Sequence, residues 1–472
     1  MNSATLSAIS RIVGGDNLLT SEEDKIVYSY DGTPLLQQKP EAVVFPENPT
    51  QISALFKLAK EDGFKIVPRG SGTGLSGGSI PVENSIALVM TRWNKILEVD
   101  ELNLTATVEP GVVTSQLHKE VEKRGLFYPP DPGSMNICTL GGNVAENAGG
   151  LRGLKYGVTK DYVLGLELVL PDGEILSIGG KNFKDVAGYS IKDIFIGSEG
   201  TLGIITKIQF KLIPKPTSAV TLLAFFDSVP QAGEAVAEII AAKITPCMLE
   251  FLDNTTLRCV EDYTKLGLPT DKEAVLLIEV DGRGSSVMED ANQVEQILMK
   301  NGGQYISKSE DPAESLRLKS ARRTAFSALA RQRPTTILED ATVPRSKLPE
   351  MLEKIQYAAK KYDLIIGNFG HAGDGNLHPT CLTDERDHKE IERVHKAFDY
   401  IFEQAVALGG TITGEHGTGL AKKQFFEKIA SRPALHVMNS LKLVLDPDNI
   451  LNPGKIFTFK PKCESLIYGR QR

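Results

Sequence analysis

Pro68 to Pro81 reads PRGSGTGLSGGSIP, with five glycines in fourteen residues. Within it GTGLSG, Gly72 to Gly77, matches the dinucleotide fingerprint G-x-G-x-x-G. That fingerprint has physical meaning only between a strand and a helix whose N-terminus faces a pyrophosphate. The β-type run FKIVPRG supplies the strand. The chain leaves the glycines as GSIPVENSIALVM, a proline and then a second β-type run, so no helix N-terminus is available. The flanks reject a Rossmann fold. Successive glycines can still let several backbone N–H groups converge on one anion without a helix dipole.

Two further glycine-rich blocks recur downstream. One is PPDPGSMNICTLGGNVAENAGGLRGLKYG, Pro129 to Gly157, and the other is GSEGTLG, starting at Gly197. An isolated block of this kind is a surface turn more often than a site. Three of them fit one large ligand with a diphosphate and flat rings.

Around these blocks, helical and extended patterns alternate without a regular βαβαβ rhythm, which implies an α+β fold. NPTQISALFKLAKEDG reads as a helix with Thr50 as N-cap and Gly63 as terminator. VLGLELVLPDGEILSI reads as a hairpin turning at Pro171–Gly173. After Pro216 the pattern becomes strand, helix, strand, helix over residues 217–300, a βαβ-like series of a second domain. LRLKSARRTAFSALARQRP is helical, and LKLVLDPDNILNPGKIF reads as a helix end and a docking loop. The expected organisation is residues 1–216, 217–425 and a C-terminal segment 426–472. A chain of 472 residues exceeds one ordinary core, in keeping with that division.

The net charge of −7 and the absence of a Lys/Arg block argue against nucleic acid. No apolar run reaches the roughly 18–20 residues of a membrane span. The five cysteines, Cys138, Cys247, Cys259, Cys381 and Cys463, are dispersed, form no C-x-x-C and suit a reducing cytoplasm.

A second chemistry is written in two glycine-framed histidine motifs. GHAGDGNLHP sets His371 and His378 seven apart around Gly-Asp-Gly, and GTITGEHGTG sets Glu415 beside His416. Two histidines and a carboxylate suit zinc, iron(II) or manganese, leaving positions open for a substrate. His118, His388, His395 and His436 lack such framing and read as ordinary surface or core histidines.

Taken together, PRGSGTGLSGG, the Pro129–Gly157 block, GSEGTLGIIT, GHAGDGNLHP, TGEHGTG and LDPDNILNPGKIF resemble the FAD-linked 2-hydroxy acid dehydrogenases of the vanillyl-alcohol oxidase type. That group includes glycolate oxidase large subunits, D-lactate dehydrogenases and D-2-hydroxyglutarate dehydrogenases. The resemblance implies an FAD-binding region of two α+β subdomains, an α/β cap domain over the flavin, and a tail returning to the FAD region. It assigns Pro68, Arg69, Gly70, Ser71, Gly72, Thr73, Gly74, Gly77 and Gly78 to the pyrophosphate. Gly133, Ser134, Thr139, Gly141, Gly142, Ala145, Asn147, Gly149, Gly150 and Gly157 would line the rest of the cofactor. Gly200, Ile205 and Asn452 complete the set. Ser71 and its neighbours offer no histidine or cysteine for a covalent link, which implies non-covalent FAD.

The same resemblance gives His371, His378 and Glu415 to a divalent metal (Zn, Fe or Mn) and makes His416 the general base. Arg322 would clamp the substrate carboxylate, with Arg331 as a helper. His378-Pro379-Thr380 departs from the polar pattern of some 2-hydroxyglutarate relatives, and no second basic group is evident in the sequence. Both points favour a small D-2-hydroxy acid such as lactate or glycolate. Electrons from reduced FAD would leave to an external acceptor, among them an electron-transferring flavoprotein or an iron–sulfur subunit. The alternatives are a D-2-hydroxyglutarate dehydrogenase and a non-redox FAD enzyme on the same scaffold.

Overall fold

The computed structural model describes residues 1–459, so Cys463 and the end of the expected C-terminal segment lie outside the described residues. Strands Ala42–Val44, Ser85–Val89 and Lys65–Arg69 lie side by side and parallel, with Leu18–Leu19 antiparallel at one edge. Helices Ser3–Val13 and Pro49–Asp62 cover this sheet through Ile9, Ile52, Leu55 and Phe56. The second helix is capped by Asn48, whose side chain accepts from the Gln51 N–H, with Pro49 in the first turn. Thr50 is therefore inside the helix. Asn is the stronger cap and proline suits the first helical position, a combination that outweighs Thr50.

The five-stranded sheet is antiparallel throughout, in the order Ile96–Asp100, Thr105–Val108, Ile204–Lys211, Val163–Val169, Ile175–Gly179. Helices Thr114–Glu122 and Leu140–Glu146 pack on it through Leu117, Val121, Leu140 and Val144. The two small sheets and their helices form the α+β region in which all three glycine blocks sit. Strand Lys65–Arg69 runs into the first block with no helix after it, as the flanking sequence requires.

The eight-stranded sheet is also antiparallel. Its strands Ser218–Phe226, Met248–Asp253, Ala274–Gly282 and Gln304–Ser309 are ordered fourth, first, third, second, a split βαβ arrangement. The strand Met248–Asp253 and the helix Asn254–Thr264 are elements that the strand–helix–strand–helix reading passed over. MLEFLD alternates too weakly, being buried on both faces, to separate itself from its neighbours. The hairpin Ile365–His371 and Asn376–Thr383 continues this sheet beyond Met248–Asp253.

Alternation along these strands sorts two cores. Leu222, Ala224, Leu276 and Ile278 face helices Val229–Ala241 and Ser286–Lys300 on one side. Leu223, Phe225, Leu252, Leu277 and Phe369 face helices Asn254–Thr264, Pro312–Arg323 and Ala325–Ala330 on the other. Glu250 and His371 are two residues from Leu252 and Phe369 and so share this second face, where apolar packing gives way to charge.

The chain then returns. After helix Arg432–Leu445, Asn452 N–H donates to the Ile66 carbonyl at 2.8 Å, and Leu451 bridges in parallel to Ile66. Buried Lys442 donates to the carbonyls of Thr201 and Leu451 and to Asp446, tying this helix to the third glycine block.

Candidate functional site

One cavity of about 660 Å³ joins the glycine blocks to the histidine motifs. Its floor takes Pro68, Arg69, Gly70, Ser71, Gly72, Thr73, Gly74 and Gly78 from the first block. Gly133, Ser134, Thr139, Gly141, Gly142, Ala145 and Gly149 come from the second, and Gly200 and Ile205 from the third. His371, His378, Glu415, His416 and Arg322 close the other end. Gly72 has φ +73°, and a Cβ there would lie 2.1 Å from the Arg69 guanidinium. Where the two ends meet, a Cβ on Gly149 would sit 2.6 Å from Oε2 of Glu415. Backbone thus approaches both the cavity and the carboxylate in a way no side chain allows.

Gly77, Asn147, Gly150, Gly157 and Asn452 do not line the cavity. Gly150 packs on the Asp131 backbone, and Gly157 ends helix Gly153–Tyr156. Asn147 is the left-handed cap of Leu140–Glu146 and accepts from the Lys160 N–H. Asn452 donates to the carbonyls of Gly78 and Glu199 and so joins the first and third blocks.

The hairpin sets Phe369 directly opposite His378, so His371 and His378 are diagonal neighbours on one face. Their rings meet edge to face at 5.2 Å. Both Nε2 atoms reach the same oxygen of Glu415, Oε1, at 3.2 and 3.3 Å. His416 stacks on His378 with ring centres 4.9 Å apart, its Nε2 3.8 Å from that oxygen.

Two buried carboxylates with no motif of their own hold this arrangement. Asp340 Oδ2 accepts from the backbone N–H of Gly414, Glu415 and His416 and from the Thr413 hydroxyl, at 2.7 to 3.0 Å. Its other oxygen takes the Asn376 amide. Glu250 stands opposite His371 across the strand pair and accepts from its Nδ1 at 2.7 Å. Glu250 also meets Arg322 Nε at 2.6 Å. Alternating charge inside a β-run was the only signal that could have marked Glu250. Asp340 follows Glu339 in an ordinary extended segment.

Arg322 ends helix Pro312–Arg323, buried, with its guanidinium 4.7 Å from the centre of the Phe369 ring. Among the described residues its terminal nitrogens donate to no protein group, so the fork is free toward the cavity. Arg323 also lines the cavity, but Asp131 of the second glycine block engages it at 3.3 Å. Arg331 is not brought to the cavity. It is exposed and lies over the Tyr263 ring at 4.8 Å.

Burial opposes charge on His371, yet Glu250 and Glu415 on either side raise its pKa well above the usual imidazole value. Glu415 is driven up by burial but held well below the carboxylate range by His371 and His378. Burial pulls His416 down to about 4, against the attraction of Asp340, so its ring is neutral near pH 7.

The Nε2 atoms of His371 and His378 converge on Oε1 of Glu415, a geometry that a proton or a cation must bridge. Three donor atoms of His371, His378 and Glu415 lie within 4.8 Å of one another and fit a divalent ion. The glycine-lined floor leaves backbone open to close approach by a large ligand. Residues 40–179 match the family model described as FAD binding domain, and residues 215–456 match that of FAD linked oxidases, C-terminal domain.

The chain belongs to the FAD-linked oxidases.

Among relatives of this FAD-linked oxidase, the glycolate oxidase subunit GlcD of Bacillus subtilis (strain 168) is 53% identical over 447 residues, 95% of each chain. The D-lactate dehydrogenase of Anaerostipes hadrus is 35% identical, covering 89% of this chain and 90% of that protein. The fold is that of p-cresol methylhydroxylase, solved with substrate bound, at a TM-score of 0.79 and 18% identity over 96% of both chains. The resemblance read from the glycine and histidine motifs, and the α+β fold without a Rossmann sheet, are both borne out.

Proposed function

We propose that this FAD-linked oxidase oxidises a small D-2-hydroxy acid, lactate or glycolate, to the 2-oxo acid. The observation that carries the reading is the single cavity shared by a dinucleotide cradle, a cation-ready His371–His378–Glu415 cluster, a neutral His416 and the free fork of Arg322. The names of the Bacillus and Anaerostipes relatives support the same substrate class.

When bound, FAD supplies the hydride acceptor, and a divalent metal (Zn, Fe or Mn) supplies a Lewis acid for the substrate hydroxyl. The residues that would hold the metal are His371, His378 and Glu415. Arg322 orients the substrate carboxylate through two parallel charge-assisted hydrogen bonds. His416 accepts the hydroxyl proton, and burial keeps it unprotonated and ready to do so. Asp340 fixes the backbone of the loop that carries this base.

Phe326, Leu338 and Phe369 make part of the wall apolar, and Asp131, which also meets Arg152, ion-pairs Arg323 beside Arg322. Both features suit a substrate with one carboxylate and a small apolar side chain. FAD is held non-covalently: the cavity's one thiol, Cys138, is engaged with the Thr114 hydroxyl, and burial pushes it up and away from the thiolate. The reaction takes place in the cytoplasm, and electrons leave to an external acceptor, an electron-transferring flavoprotein or an iron–sulfur subunit. The test is anaerobic mixing of the yellow protein with D-lactate or glycolate. Bleaching of the flavin by one of them is expected, and failure of every small 2-hydroxy acid to bleach it refutes the reading.

A further inference from the structure

Glu250 belongs to neither the metal cluster nor the expected carboxylate clamp, yet it touches one member of each. It lies in strand Met248–Asp253, wholly buried, and its two oxygens divide between two partners. Oε1 is 2.7 Å from His371 Nδ1, and Oε2 is 2.6 Å from Arg322 Nε. By accepting from Nδ1–H it leaves the Nε2 lone pair of His371 aimed at the cation position beside Glu415. By pairing its charge with the guanidinium at Nε, it leaves the terminal fork of Arg322 for the cavity.

One buried carboxylate therefore sets the orientation of a metal ligand and of a substrate anchor. We propose that Glu250 is a positioning residue that couples the two: a cation on His371, His378 and Glu415 raises the affinity of Arg322 for a carboxylate, and the reverse. The basis is shared ordering. Either ligand fixes Glu250 in the position that the other needs, so the second to bind does not repeat that cost. The coupling rests on the proposed metal and clamp roles of these residues.

Glu250→Gln is the discriminating change. Glutamine keeps the volume but has one acceptor oxygen, and its NH2 group faces a donor whichever way it turns. The probe pair is Zn2+, followed by competition with a chromophoric chelator, and propionate, which has a carboxylate but no hydroxyl for the metal. Both are titrated into the FAD-loaded protein.

In the wild type, saturating propionate should tighten Zn2+ binding by about fivefold or more. In Glu250→Gln, Zn2+ binding should weaken on the order of tenfold, and the propionate effect should vanish. The flavin spectrum should be unchanged, which shows that the fold is intact. In Arg322→Met the propionate effect should also vanish while the flavin spectrum is retained. An equal propionate effect in the wild type and Glu250→Gln overturns the coupling, because the effect would then be direct attraction between cation and anion. Zn2+ and propionate that bind the wild type independently also overturn it, and leave the proposed reaction standing. A wild type that binds no Zn2+ overturns both.

Discussion

His371 and His378 present their Nε2 atoms to one oxygen of Glu415 at 3.2 and 3.3 Å, from diagonal positions of a single hairpin. Three donors that close, inside a protein, require something positive between them. A metal ion meets that need, and so does a proton on His371, whose pKa Glu250 and then Glu415 raise. Dialysis against a chelator should therefore leave a folded, yellow protein that substrate bleaches at least roughly 10–100-fold more slowly, the range seen when even an outer-shell partner is lost. Adding Zn2+ or Mn2+ should restore the rate, with stopped-flow flavin absorbance as the readout.

Arg322 and Arg331 are nine residues apart in one arginine-rich segment, and their expected effects differ sharply. Arg322→Lys keeps the charge but loses the bidentate fork. Charge-assisted hydrogen bonds contribute about 1.5–3 kcal/mol each, so kcat/KM should fall by about 10–100-fold for the loss of one. Arg331→Ala removes an exposed cation over Tyr263, and kcat/KM should stay within about twofold of wild type. Steady-state kinetics with one hydroxy acid compares the two directly.

The contrast also marks what a sequence can carry. His371, His378, Glu415 and His416 were legible because glycines frame them, and framing glycines have a geometric purpose. The cradle glycines were legible for the same reason. Glu250 and Asp340 were not, because Glu250 acts on His371 and Asp340 on the loop Thr413 to His416, each more than seventy residues away in sequence. The same limit applies to the large sheet. Its helix–strand alternation was visible, but its split βαβ order depends on Met248–Asp253, buried on both faces and without a pattern of its own. Arg322 and Arg331 look alike as residues, and only the end of helix Pro312–Arg323 against Phe369 separates them.

Asp340 gathers three backbone N–H groups and one hydroxyl on a single buried oxygen. Asp340→Asn removes the charge and places an NH2 group among donors. The loss should destabilise the protein by roughly 2–4 kcal/mol, as when a buried polar network is broken. It should also loosen residues Gly414 to His416, so kcat should fall while the FAD spectrum persists. Differential scanning calorimetry and hydrogen exchange over this loop would check both effects. Unchanged protection of the Glu415 and His416 amides in the variant would contradict the anchoring role.

Glu146 and Glu199 line the cavity together, and a Cβ on Gly417 would be 2.4 Å from the first and 3.1 Å from the second. Glu199 accepts from the N–H groups of Thr418 and Gly419 at 2.7 Å, whereas buried Oε2 of Glu146 has no partner among the described residues. Burial, and then the neighbouring Glu199, raise Glu146 well above the carboxylate range. Of the pair, Glu199 keeps the charge, because donors serve it, and Glu146 keeps the proton. A carboxyl raised in the folded state binds its proton more tightly there than in the unfolded chain. Its contribution to stability is full at low pH and is lost as pH rises through the folded pKa. Glu146→Gln has no proton to lose. Its melting temperature relative to wild type should therefore rise by a few degrees between about pH 5 and about pH 8. Thermal melts of the FAD-loaded proteins across that range test it, and a constant difference would show that Glu146 is ionised throughout.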